Sequence, residues 1–513
     1  MASYNGITTP IWTGDTPPAA SPPAALPDAA PDVCVIGAGI AGVTTAYLLA
    51  GEGKRVVVLD QSPPPSGETS CTSAHLASIF DDRFVEVERQ YDAATARTLY
   101  ESHSAAIDKI ELIVRDEKID CDFRRCDAYL FPGLGETTDA MLKEFAAMRR
   151  IGVDATLVDD VPTTNAGKAI LTRSQGAFQP VKYLYGLTNA AERRGVAFYY
   201  NARVDDVTGA DPAHSKPARI TLHGGGQVIN ARHVVVATNT PTPINDWLGI
   251  YMKQASYRTY LVGLEVPQGH VPFALYWDMH DPYHYVRVIE RAGPDGRDVL
   301  LVGGEDHKTG QAGAGDDRFH ELAKWARKVF PQAGEEVTRW SGQVQEPADG
   351  IAFIGRALTG GEDVYVITGD SGMGLTHGTL GAVLITDQIM GRPNPWEAVY
   401  DPGRKIPNSE FVSENANVTK QFADYITAGE VQRETEIAPG QGGLMRSGAT
   451  KLALYRDDNG HLHRMSAVCP HLYCIVHWNG VEKTWDCPCH GSRFTCTGEL
   501  IVGPSIDDLK PAE

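Results

Sequence analysis

The 513-residue sequence contains no run of eighteen apolar residues, about the length a helix needs to cross a bilayer, so no membrane span is expected. Positive charge is also scarce: 46 Lys and Arg stand against 65 Asp and Glu, a formal net charge of −19. Nucleic acids and anionic membrane surfaces are held by cationic faces that displace counterions, so neither is an expected partner. The opening MASYNGITTPIWTGDTPPAASPPAALPDAA lacks both the basic start and the apolar core of a secretory signal. It is rich in Pro and Ala, and residues 1–31 read as an extended arm over the surface of a cytoplasmic protein. The cysteines are not spread as in a disulfide scaffold. Of nine, only Cys34, Cys71, Cys121 and Cys126 fall in the first 430 residues, and five crowd between Cys469 and Cys496. Such crowding points to a metal site.

The length suggests two to four domains. From Asp32, the text PDVCVIGAGIAGVTTAYLLAGEGKRVVVLDQ reads as strand, glycine turn, helix, turn and strand. Gly37, Gly39 and Gly42 open the helix, with Ile40 and Ala41 between them, and Asp60 closes the second strand. The first glycine permits the turn, the second lets backbone approach a pyrophosphate, and the third packs helix on strand. The helix N-terminus faces the phosphates and Asp60 takes the ribose hydroxyls. This is a dinucleotide site, and two later segments favour FAD over NAD. His233–Asn239 reads as a buried strand ending in small residues and resembles the second nucleotide-contacting strand of FAD proteins. Val364–Thr368 is another, followed by a turn through Gly369, Asp370, Gly372 and Met373 that opens a helix at Gly374, Leu375, Thr376 and His377. A helix N-terminus there would stabilise negative charge on a reduced flavin. Helical and strand patterns alternate to about Gly391, with a predicted helix from Asp317 to Val329.

Beyond Pro439 come short alternating runs separated by Gly and Asn-Gly turns, the pattern of a small all-β domain. Within it, Cys469-Pro-His471 is followed by Cys487-Pro-Cys489-His490. A Rieske 2Fe-2S centre needs this mixture, because one iron takes two thiolates and the other two imidazoles. A zinc ribbon is the alternative, though it more often repeats Cys-x-x-Cys. Cys474 and Cys489 resemble the pair that forms a loop-locking disulfide in Rieske proteins of cytochrome bc complexes. Ser492 stands where those proteins place a hydroxyl on a cluster sulfur, while Phe494 replaces their tyrosine. The resemblance therefore implies a middling potential within roughly −150 to +300 mV. No residues follow for a mononuclear iron domain, so the cluster is expected to be an electron carrier.

Together with the segment WSGQVQEPADGIAFIGR from Trp340 to Arg356, the region Asp32–Gly391 resembles the D-amino-acid oxidase-like FAD family, which includes glycine and sarcosine oxidases. The whole chain resembles bacterial members carrying a C-terminal Rieske domain. The implied fold is an α/β FAD-binding domain, Rossmann-like and of the glutathione-reductase type, with an inserted α+β substrate domain and a C-terminal all-β Rieske domain. The expected bounds are 32–405 with insertions at about 104–169 and 241–339, a helical linker over 406–432, and the Rieske domain over 433–513. Further FAD contacts implied by the resemblance are Gln61, Thr69, Ser70, His75, Leu76, Val204, Thr238 and Asn239, with Cys71 and His75 near the flavin ring. Candidate substrate residues are Arg258 and Tyr260, then Tyr283, His284, Tyr285 and Arg287, with His307 and His377 behind them. The expected activity is oxidation of a small molecule, an amine or amino acid, with electrons passing from FAD through the cluster to an acceptor such as a redox partner protein. Reverse electron flow and a non-catalytic redox sensor are the alternatives.

Overall fold

The computed structural model describes residues 8–14, 30–240, 250–311, 317–358, 361–406, 422–425, 427–448 and 450–512. Its nucleotide-binding body is a six-stranded sheet in the order Phe353–Arg356, Val364–Thr368, His233–Asn239, Val33–Ile36, Val56–Leu59 and Ala197–Tyr199. All neighbours are parallel except the first pair. Val33–Ile36 and Val56–Leu59 are buried along their whole length, as parallel strands covered on both faces must be. Alternate side chains enter different cores. Val33, Val35, Val56 and Val58 pack under helices Ile40–Gly51 and Gly374–Ile389. Cys34, Ile36, Val57 and Leu59 pack against the meander Val204–Thr208, Ala218–Leu222, Val228–Ala231. Gly37 has φ +106°, and a Cβ there would lie 2.4 Å from Ala237 O; only glycine lets this turn cross the neighbouring strand.

A nine-stranded sheet carries the inserted domain. Its path runs Glu336–Pro347, Gln254–Val266, Asp298–Lys308, His284–Ile289, Leu275–Asp278, Arg124–Phe131, Ala169–Ala177, His75–Leu76, with Ala155–Val158 alongside. Period-two alternation sorts the central strands. Leu261 and Leu301 face the nucleotide-binding body, whereas Tyr260, Val262, Leu300 and Val302 pack under helix Arg318–Val329. Asp317 caps that helix by accepting from His320 N, matching the expected start.

The C-terminal domain has a three-stranded sheet, Gln441–Ser447, Thr450–Arg456, Leu462–Ser466, and a four-stranded one, His477–Asn479, Thr484–Asp486, Arg493–Thr495, Leu500–Val502. It begins before residue 433, because Glu430 and Val431 N–H already donate to Leu444 O. The expected linker helix falls largely on 407–421, outside the described residues; Phe422–Tyr425 is a 3-10 turn. The N-terminal arm differs from expectation where it is described. Trp12 is 3% exposed, packs edge-on against Trp340 at 6.3 Å, and donates from Nε1 to Thr72 O. Its indole holds the arm in the core; residues 1–7 and 15–29 lie outside the described residues.

Candidate active site and iron–sulfur centre

The two ligand loops of the C-terminal domain are held together by backbone bonds, Cys469 N to Cys474 O and Cys487 N to Ser492 O, both 2.8 Å. The Cys474–Cys489 disulfide joins them, with Cα atoms 6.4 Å apart. Cys469 and Cys487 are buried side by side, and the rings of His471 and His490 stand 5.0 Å apart. Both Nδ1 atoms are buried without a hydrogen-bond partner among the described residues. Burial holds the His471 pKa down to about 4 and that of His490 to about 3, so both rings are neutral donors fit for a metal. Among the described residues no three His, Cys, Asp or Glu side chains surround one ion point. Two thiols and two imidazoles are the set a Rieske 2Fe-2S centre takes, two to each iron. Ser492 Oγ accepts from Ser505 N at 2.9 Å and hydrogen-bonds the Cys469 thiol, whereas Phe494 is apolar core.

A cavity of about 2170 Å³, part of it open to solvent, runs from the Gly37–Gly39 turn to the nine-stranded sheet. Of the expected FAD contacts, all but Gly42, Ser70, Leu76 and Gly369 line it. Those four are displaced for evident reasons. Gly42 packs on Gly37 O and Gly369 on Pro347; Ser70 Oγ donates to Gly67 O; Leu76 is wholly buried in the core. Asp60 accepts from Ala38 N at 2.6 Å and Ser62 N at 2.8 Å, fixing its carboxylate at the strand end. Bare glycine backbone at a helix head, with an acid beside it, fits a dinucleotide. FAD, when bound, supplies a two-electron acceptor that can release electrons singly.

The candidate substrate residues separate by strand parity. Tyr283, Tyr285 and His377 line the cavity, together with Cys71 and His75. Arg258 and Tyr260 do not: they lie on the opposite face from Thr259 and Leu261, which do. Tyr260 stacks on His307 at 5.6 Å under helix Arg318–Val329. Arg287 is buried behind the wall, donating from Nη1 to Ala74 O and Phe178 O. His377 donates or accepts through Nε2 with His103 at 3.2 Å, and burial lowers its pKa to about 4. Asp81, Thr259, Trp277, Asp306 and Gln343 also line the cavity, and sequence reasoning did not single them out. The Gly303-Gly304 pair before Asp306 was the available signal: a Cβ on Gly303 would lie 2.1 Å from the Tyr285 ring.

His284 points away from the cavity, between Asp278 (2.9 Å) and Glu305 (3.4 Å). Burial lowers its pKa, but these two carboxylates outweigh that and hold it at about 9. Because the folded value lies above the unfolded one, the stabilisation is full below about pH 6.5 and is lost as pH rises through 9. It amounts to about 3 kcal/mol. Melting temperatures across pH 6–10 should therefore fall more steeply for the wild type than for His284→Asn; parallel curves would refute the assignment.

The cluster loops dock on the cavity wall. Gln343, a lining residue, donates from Nε2 to Gly491 O at 3.1 Å. Ser256 Oγ lies 3.0 Å from both His490 O and Gln345 Oε1, and Gln345 Nε2 reaches the lining residue Thr240. The Tyr251 ring sits 5.3 Å from His471 and 6.2 Å from His490. Leu500, Val502, Gly503, Ser505 and Ile506 of the C-terminal domain complete the cavity. Beside this contact, Glu482 accepts from Arg258 and Arg493, each at 3.1 Å, all three with no side-chain exposure.

A dinucleotide cavity walled by an inserted sheet, with a four-ligand Cys/His centre docked on it, defines an FAD-dependent oxidoreductase carrying a Rieske centre. The chain belongs to the FAD dependent oxidoreductase family, whose model matches residues 32–388, and the Rieske 2Fe-2S domain model matches residues 428–513. It binds FAD and a 2Fe-2S cluster. A putative Rieske 2Fe-2S iron-sulfur protein, YhfW, of Bacillus subtilis is 31% identical over 95% of this chain and 94% of its own. Gamma-glutamylputrescine oxidoreductase of Escherichia coli is 26% identical over 72% of this chain and 85% of its own. Among solved structures, glycine oxidase from Geobacillus kaustophilus superposes with a TM-score of 0.61 at 18% identity, covering 74% of this chain and 99% of that one. Among the described residues no helix is long and apolar enough to cross a membrane.

Proposed function

We propose that this protein oxidises a carbon–nitrogen bond of a small amine or amino acid and sends the electrons through the cluster to a redox partner protein in the cytoplasm. The carrying observation is the hydrogen bond from Gln343, a cavity-wall residue, to the carbonyl of Gly491, the residue after His490. Donor site and carrier are thereby parts of one packed unit. The likeness to gamma-glutamylputrescine oxidoreductase supports a nitrogen-bearing substrate. The expected FAD contacts lining the cavity would hold the cofactor, Asp60 at the ribose and the Gly374 helix end at the flavin. Tyr283 and Tyr285 would shape the space beside it. Anaerobic mixing with a panel of amines and amino acids tests this. Flavin bleaching followed by the paramagnetic signal of a reduced cluster is the expected result. Reduction of the flavin only by an external donor acting through the cluster would favour the reverse direction and overturn the proposal.

A further inference from the structure

The cavity wall built by the nine-stranded sheet has an unusual chemistry. Trp277, Tyr283, Tyr285 and His75 form a run of rings: Tyr283 and Tyr285 are 5.7 Å apart, His75 and Tyr285 5.6 Å, His75 and Trp277 6.4 Å. Two carboxylates, Asp81 and Asp306, share this wall. Tyr283 Oη donates to Asp81 Oδ2 at 3.0 Å, and Tyr285 Oη lies 2.8 Å from Thr259 Oγ1, which also bonds Asp306. The second oxygen of Asp306, Oδ1, is buried and has no hydrogen-bond partner among the described residues.

Cationic side chains are turned elsewhere. Arg203 is the one Arg or Lys among the described lining residues; it follows the nucleotide-binding sheet and bonds His223. Arg258 is committed to Glu482 and Arg287 to two backbone carbonyls. Arg83, near Asp81, donates to Asp278 O, and His284 is held between Asp278 and Glu305. Burial, helped by the neighbouring Asp81 charge, pushes Asp306 up to about 7, and burial takes Asp81 to about 6. Arg83 near Asp81 and His284 near Asp306 lower the two carboxyls through their charge, but among the described residues neither forms an ion pair with them, and a buried carboxylate without a paired cation is left short of stabilisation. A substrate carboxylate placed here would add negative charge beside two carboxyl groups, with no cation among the described lining residues of this wall to hold it. An ammonium would favour the ionised form of both carboxyls and meet the faces of electron-rich rings, the two groups that recognise alkylated ammonium best.

We propose that this wall is a recognition site for an organic ammonium bearing no carboxylate beside its nitrogen, with Asp81 and Asp306 as counter-ions and Trp277, Tyr283 and Tyr285 around its alkyl groups. Taking that ligand as the substrate rests on the carbon–nitrogen oxidation proposed above; the binding site itself does not.

Calorimetric titration of the FAD-loaded enzyme with tetramethylammonium chloride, and separately with sodium propionate, is the test. Tetramethylammonium should bind saturably and propionate should not. Asp306→Asn and Asp81→Asn should each weaken tetramethylammonium at least about tenfold, the loss of one charged partner, with FAD content unchanged. Should one variant fail to fold, the other and Tyr285→Leu carry the same expectation. Propionate binding without tetramethylammonium binding, or unchanged affinity in the folded variants, would overturn the proposal. If tetramethylammonium binds through Asp306 but no amine bleaches the flavin, the cation site stands and the oxidation reading falls. If only carboxylate-bearing amino acids bleach it and tetramethylammonium does not bind, the reverse holds.

Discussion

His490→Ala should yield a protein that retains FAD but has no Rieske cluster. His490 is one of the two imidazoles assigned to the histidine-bound iron, and its neutral Nδ1 has no hydrogen-bond partner among the described residues. Removing it leaves that iron with a single protein ligand, too few to retain it. The cavity, by contrast, is walled mainly by residues outside the C-terminal domain. Visible and paramagnetic spectra of the cluster should vanish while flavin absorbance persists, and a reductive titration should consume one electron fewer per chain. His471→Ala should do the same. A variant that keeps the cluster spectrum would refute the ligand assignment.

The Rieske domain was legible because its candidate ligands are close in sequence and their chemistry is restrictive: two Cys, two His and the Cys474–Cys489 pair are all read from one short stretch. The nucleotide site was legible for a related reason, since Gly37, Gly39 and Asp60 belong to a single strand–helix–strand unit. The cavity wall on the nine-stranded sheet was legible only in part. Tyr283 and Tyr285 stood among the candidates, but Asp81, Thr259, Trp277 and Asp306 are far apart in the chain, and no local pattern joins them. Strand alternation correctly implied that neighbours in SYRTYLVG divide between two faces, but not which face meets the cavity. Arg258 and Tyr260 looked attractive because Arg and Tyr are common substrate partners; Thr259 and Leu261 hold the lining positions. What drew Arg258 the other way is Glu482, more than two hundred residues onward, which no local pattern reveals.

That pairing leads to the second large effect, expected of Glu482→Gln. Arg258 comes from the inserted domain and Arg493 from the Rieske domain, and both converge on Glu482 at 3.1 Å. Arg493 is shared with Asp486, also at 3.1 Å, while Ser341 and Asn479 bond Glu482 as well. Two cations and two anions thus balance in a fully buried site across the domain boundary. The Asp486 pKa stays low despite its burial because Arg493 and Arg258 lie beside it. Neutralising Glu482 leaves two guanidinium groups against one carboxylate, with no water to screen them. Breaking a buried pair from one side costs roughly 3–5 kcal/mol. Since Arg258 and Glu482 belong to different domains, the loss should appear as a looser dock. Cluster absorbance should disappear at a lower temperature than in the wild type, and flavin-to-cluster electron transfer should slow. The double variant Arg258→Met, Glu482→Leu removes one charge of each sign and leaves Arg493 with Asp486, so it should recover most of the lost stability. If Glu482→Gln melts as the wild type does, or the double variant is no better than the single, the network does not hold the cluster against the cavity. The remaining bonds from Gln343 and Ser256 would then be what fixes the relay.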